Sequence, residues 1–212
     1  MHKIFCLGEH NTEPIIISVE SQVRRGLFMF EILGKAGKSV QESKGRVLSA
    51  LKQIQKIPTL NKKITVLLSP ADIQKEGTLF DLAIAISCNL SLIPNMSINL
   101  DLVSKSLFLG ELDLLGNISL GHRTLSKNQV RVAVNQGVKY IFTGQDVHEK
   151  NTQTEIDSSD CTIVYVKSLT EVLSYLEMSE EELLKNVKLR VSPSLNDLTK
   201  HGSETQHYFN ID

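Results

Sequence analysis

Between residues 79 and 90 the sequence runs Leu-Phe-Asp-Leu-Ala-Ile-Ala-Ile-Ser-Cys-Asn-Leu, apolar on nearly every side of a helix, with only Asp81, Ser87 and Asn89 interrupting. A helix without a polar face has to be wrapped by protein on all sides. This segment is therefore the central helix, and the rest of the chain must supply the layers that cover it. Residues 64–68 are apolar and β-branched, Pro70 stops them, and Asp72 and Gly77 supply turn chemistry before the helix begins near Thr78.

The flanking sequence alternates strands and helices. Residues 3–7 and 15–19 are short apolar runs separated by turn formers at 9–14, and residues 27–33 make a third run. Gly34-Lys35-Ala36-Gly37-Lys38 then leads into an amphipathic helix whose Val40, Val47, Leu48, Leu51 and Ile54 share one face, with Ser39 and Glu42 spaced as a capping box and Pro58 at its end. One or two helical turns fit residues 100–106. Residues 107–119 read as two strands turning at Gly116-Asn117, and a helix over 126–135 closes at Gly137. Strands at 138–142 and 161–166 flank a polar, acidic stretch at 151–160. Ser168 and Glu171 open a helix to Leu176, and a last helix covers 178–186. From Val187 no apolar period survives, the pattern of a linker. The pattern predicts an α/β chain with one main domain over residues 1–178 and a short helix and flexible linker over 179–212.

Composition narrows the function classes. With 212 residues, 41% of them hydrophobic, the chain can bury a sizeable core. A net charge of −1 gives no global reason to grip nucleic acid or anionic lipid, although a local basic patch is compatible with it. Apolar runs are too short to span a bilayer and the N-terminus lacks a signal peptide, which predicts a cytoplasmic chain without membrane contact. Cys6, Cys88 and Cys161 form no Cys-x-x-Cys pair, and six dispersed histidines offer no ligand set, so neither a disulfide framework nor a metal site is expected.

Three motifs carry a resemblance. Arg25-Gly26-Leu27-Phe28-Met29-Phe30-Glu31-Ile32-Leu33-Gly34 is followed by Val40-Gln41-Glu42-Ser43-Lys44-Gly45-Arg46-Val47; Ser69-Pro70-Ala71-Asp72 by Lys75-Glu76-Gly77-Thr78-Leu79-Phe80-Asp81-Leu82-Ala83-Ile84-Ala85; and then Gly110-Glu111-Leu112-Asp113-Leu114-Leu115-Gly116. Together they resemble the N-terminal ChlI domain of the ComM/YifB family of magnesium-chelatase-like AAA+ ATPases. Lys35-Ala36-Gly37 and the segment Ser119–Arg123 depart from the family pattern. The resemblance implies a Lon-protease-domain-like mixed sheet with helices packed on it. It also implies a following AAA+ module that binds ATP and magnesium while this chain holds no cofactor, and a hexameric DNA helicase or branch-migration motor serving recombination in competence. This chain would be its non-catalytic part, assisting assembly or DNA engagement.

The same fold analogy raises a degenerate peptidase as the alternative. Lon-type proteases activate a serine with a lysine; the resemblance places Leu79 at the lost nucleophile position and the base near Lys127 or Gln129, leaving Thr78 and Lys127 as a shifted dyad. A hydroxyl at a helix start more commonly caps the helix. Gly37-Lys38-Ser39 imitates a phosphate-binding loop, but the glycine expected five residues before Gly37 is Ile32, so at most a weak anion site is expected there. Asp72, Glu76, Asp81 and Glu111 are read as structural carboxylates, with Lys75 as an ion-pair partner for one of them.

Overall fold

The structure is a computed structural model describing residues 2–55, 61–94, 96–121, 123–144 and 161–191. The chain divides into two compact units, Met1–Met178 and Ser179–Asp212. In the first, strands β1 (Ile4–His10) and β2 (Glu13–Arg25) form a hairpin, followed by β3 (Met29–Leu33), helix α1 (Lys38–Gln55), β4 (Lys62–Ser69), α2 (Asp81–Leu92) and α3 (Leu100–Ser104). The chain continues through β5 (Ser106–Leu109), β6 (Glu111–Leu112), β7 (Ile118–Ser119), α4 (Lys127–Asn135), β8 (Tyr140–Gly144), β9 (Thr162–Val166) and α5 (Leu169–Leu176). Of the second unit the structure describes α6 (Glu180–Val191), opened by Ser179, whose hydroxyl accepts from the Glu182 amide.

Seven strands form one mixed sheet in the order β3-β4-β2-β1-β5-β8-β9. The β1/β2 and β2/β4 pairs are antiparallel; β3/β4, β1/β5, β5/β8 and β8/β9 are parallel. The parallel half reads as continuous apolar runs, since every residue of β5 and β8 is buried, as strands covered on both faces must be. This mixed α/β architecture is the one the sequence pattern predicts.

The central helix behaves as its composition requires. Ten of the twelve α2 residues are buried, and the helix packs against β1, β2, β4, β5 and β6 as well as α1 and α5. Its start differs from the prediction: the helix opens at Asp81 rather than near Thr78, with Phe80 in the cap position and no side-chain cap. Residues 78–80 instead form a turn, in which the Asp81 amide donates to the Thr78 carbonyl.

Five further differences are local. β2 runs to Arg25, because polar Ser21 is accommodated inside: its hydroxyl donates to the Ser87 carbonyl at 2.7 Å and lies 2.8 Å from the Ser91 hydroxyl. The predicted 107–119 hairpin is split. β5 joins the main sheet, and only Glu111–Leu112 and Ile118–Ser119 pair, across a turn in which the Asp113 carboxylate accepts from the Leu115 and Asn117 amides and the Asn117 side chain. Ser39 does not close a box with Glu42; its hydroxyl accepts from the Gly77 amide at 2.9 Å, a tertiary bond. At α5, Ser168 accepts from the Glu171 amide while the Glu171 carboxylate accepts from Lys167, one residue earlier than a box requires. α6 also reaches Val191, beyond the predicted 186. Pro58, the 151–160 stretch and residues 192–212 lie outside the described residues.

Ile84 is fully buried and Leu27 is 90% exposed. Ile84→Ala should therefore cost about 2–5 kcal/mol, whereas Leu27→Ala should stay within about 0.5 kcal/mol. Urea midpoints of the two variants check the contrast.

Candidate binding cleft and the loop that walls it

The loop between β4 and α2 is held from below by a lysine. Lys75 is only 2% exposed, and its ammonium donates to the carbonyls of Gly34, at 2.9 Å, and Pro70. Its main chain is tied to the segment after β3: the Lys75 amide donates to Lys35 and the Gly37 amide to Lys75, a short parallel bridge. Lys75 thus serves carbonyls rather than the carboxylate expected from sequence. Burial pushes its pKa below the ordinary 10.5, with the nearby Asp72 opposing.

This clamp also accounts for Gly37, Lys38 and Ser39. A Cβ on Gly34, whose φ is +98°, would run into the Leu68 carbonyl, and one on Gly37 would lie 2.9 Å from both the Lys75 carbonyl and the Glu76 carboxylate. The glycines permit close packing of two loops. Glu76 lies over Gly37, the Gly77 amide is bonded to the Ser39 hydroxyl, and Lys38 is exposed on the first turn of α1.

A buried polar network anchors the other end of the loop. Asp81 has no exposed surface. Its carboxylate accepts from the Ser43 hydroxyl, from Arg46 Nε at 2.5 Å and a second guanidinium nitrogen at 3.1 Å, and from the Leu112 amide at 3.2 Å. The hydrogen bond to Asp81 raises the Arg46 pKa further, keeping the guanidinium charged. The Thr78 hydroxyl donates to the Glu111 carboxylate at 2.8 Å.

Above this loop opens a cleft of about 960 Å3, walled by the β1–β2 hairpin on one side and the segment leading into α4 on the other. Leu79 is partly exposed and lines it, as does Gln129. Thr78 and Lys127 are not among its lining residues, and no hydrogen bond joins them. Gln129 is engaged elsewhere: its side chain accepts from the Ser126 amide while its own amide donates to the Ser126 hydroxyl, a complete capping box. The Arg123 guanidinium lies over Gly77 at the cleft wall.

No thiolate is available in place of a hydroxyl. All three cysteines are buried; desolvation pushes Cys88 up to about 12, Cys161 up to about 11 and Cys6 higher still. Among the described residues no group of three or more His, Cys, Asp and Glu could hold a metal ion. Sequence reasoning did not assign Lys75 its carbonyl partners, because lysine is rarely buried. Its only signal was a place in the Lys-Glu-Gly motif beside a glycine-rich loop.

These features define the class: a mixed α/β domain in which a buried helix and the loop before it form one side of an open cleft. The family described as subunit ChlI of Mg-chelatase matches residues 19–145, more than half of the chain, and the chain belongs to that family. It is also similar to the competence protein ComM of Haemophilus influenzae, with 29% identity over 179 residues. That alignment takes in 84% of this chain and 33% of the relative, so the chain spans about a third of the relative's length. The family resemblance carried by the three motifs is thereby borne out.

Two outcomes test the anchoring. Asp81→Ala should cost about 3–5 kcal/mol by leaving Ser43, Arg46 and the Leu112 amide without an acceptor, and Arg46→Ala at least as much, since it leaves the fully buried Asp81 carboxylate without a charge partner. For Lys75, the folded state holds its proton less tightly than the unfolded state. Stability must then rise with pH from the lowered pKa up to 10.5. Lys75→Met should abolish that rise, seen as a difference between the parent and variant urea midpoints that shifts in the parent's favour as pH increases through that window.

Proposed function

We propose that this chain is the non-catalytic N-terminal domain of a ComM-like AAA+ protein, in which residues 1–178 assist assembly or DNA engagement of a hexameric helicase or branch-migration motor. Residues 179–212 lead toward the module that binds ATP and magnesium. The setting is recombination of DNA taken up in competence, in the cytoplasm; no helix among the described residues is long and apolar enough to cross a membrane.

The observation that carries the DNA half of this reading is a basic ladder at one end of the β2–β4 pair, with one Arg–Lys pair on each face of the sheet. The β2–β4 register sets Arg24 opposite Lys63 and Arg25 opposite Lys62. Like charges directly across a strand pair are unfavourable, and Glu31, 3.8 Å from Lys63, is the one carboxylate paired there among the described residues. Phosphates along a nucleic-acid backbone would relieve that repulsion through counterion release. The ladder escaped the composition argument because the net charge of −1 averages it away.

The non-catalytic half rests on the cleft. Leu79 offers no group to deprotonate, Thr78 spends its hydroxyl on Glu111, and Gln129 spends its side chain on a helix cap. A peptidase needs a nucleophile, a base within reach and oxyanion donors together.

In the 212-residue chain, Arg24→Glu with Arg25→Glu should weaken binding to a fluorescent DNA duplex at least about tenfold, with an affinity that falls as salt is raised. Absence of any binding by the parent chain at low salt would sink the DNA reading. Leu79→Ser should remain folded and leave casein uncut; robust cleavage would instead restore the peptidase alternative.

A further inference from the structure

The main sheet is not continuous along the cleft. Strands β1 and β5 are adjacent and parallel, yet only Phe5 and Leu107 are registered across them, although β1 continues to His10 and β5 to Leu109. Beyond Phe5 the two strands part. Leu109 and residues 7–10 both line the opening between them.

The hairpin fixes which backbone groups of β1 face that opening. Asn11 and Thr12 both have positive φ, the requirement of a two-residue type I′ turn. His10 and Glu13 are then the closing hydrogen-bonded pair, and alternation makes Gly8–Ile15 and Cys6–Ile17 hydrogen-bonded as well. The N–H and C=O groups of Leu7 and Glu9 therefore point away from β2. With the β5 ladder ended at Phe5, and with the Gly110 amide that would continue it donated to Leu79, those four groups have no sheet partner. Leu7 is 4% exposed and Glu9 is exposed, so the open edge runs from the inner part of the cleft to its mouth.

We infer that the cleft is a strand-addition site: an extended, neutral-to-basic polypeptide segment pairs with the outer edge of β1 at Leu7 and Glu9. Main-chain bonding of this kind supplies affinity, and pockets for alternate side chains supply selectivity. Leu79, Phe80, Leu109 and Leu120 offer apolar surface for one row of side chains. The volume of about 960 Å3 lies at the upper end of the range for ligand pockets. Charge decides between classes of partner. Among the described charged residues that line the cleft, Glu9, Asp72 and Glu76 stand against Arg123, a balance that attracts basic peptide and repels phosphate. This site is separate from the basic ladder, and the inference goes beyond the proposed function without depending on a motor module.

The test uses the ¹⁵N-labelled 212-residue chain and the peptide acetyl-Lys-Val-Leu-Val-Lys-amide. Adding the peptide should slow hydrogen exchange at the Leu7 and Glu9 amides and leave Gly8, bonded within the hairpin, unchanged. Successive N–H groups of an extended peptide point to opposite sides, so N-methylating alternate amides distinguishes edge pairing from non-specific contact. One of the two alternating patterns should weaken binding at least tenfold while the other leaves it near the parent value. Glu9→Pro removes a single outward N–H without touching a β2 bond and should weaken binding at least tenfold more than Glu9→Gln, which removes the carboxylate and keeps the N–H. Equal effects of both methylation patterns, unchanged exchange at Leu7 and Glu9, or no binding at millimolar peptide would overturn the inference. So would protection of the same amides by a DNA oligonucleotide.

Discussion

The Asp81 carboxylate is the interaction on which the arrangement depends. It stands at the first turn of a helix that is otherwise wrapped in hydrocarbon, with no access to water. A buried ionised carboxylate is tolerable only when its charge is paired and its lone pairs are occupied. Ser43 and Arg46 from α1 and the Leu112 amide from β6 meet that demand together. One side chain thus fixes where α1 lies on α2 and where the β6–β7 hairpin leaves the sheet. Substitution there disturbs three elements at once, unlike a loss of packing at a single core methyl.

Lys75 does the corresponding work on the opposite side of the same loop. Between the two anchors lie residues 76–80, whose conformation is over-determined by Gly77 to Ser39, Thr78 to Glu111 and Gly110 to Leu79. A segment tied at so many points presents a fixed wall to the cleft. That suits binding to a preformed surface, where little ordering cost is incurred on association. Ser39, Thr78 and Glu111 are the side chains that hold this wall in place.

Two surfaces of opposite character emerge from one nearly neutral chain. The basic ladder at the β2–β4 end gathers cations from segments about forty residues apart, while the cleft collects carboxylates and one guanidinium. The chain that carries these surfaces belongs to the ChlI family and is similar to about a third of the Haemophilus influenzae ComM chain.

Much of the fold was legible in the sequence because it is set by neighbours. The all-round apolar run at 79–90 specified a buried helix, Ser126 and Ser168 marked helix starts, and β-branched runs marked β4 and β9. Glycine and asparagine marked the β6–β7 turn. Propensity, periodicity and turn chemistry act within a few residues, so they survive in a one-dimensional reading. What the tertiary structure alone decided was the choice of partner: Lys75 for two carbonyls, Ser39 for Gly77, Arg24 and Arg25 beside Lys63 and Lys62, and the parting of β1 from β5 that opens the cleft. Each of these pairs groups that lie far apart along the chain, and a polar side chain carries no local sign of which distant partner the packing will bring within hydrogen-bonding distance.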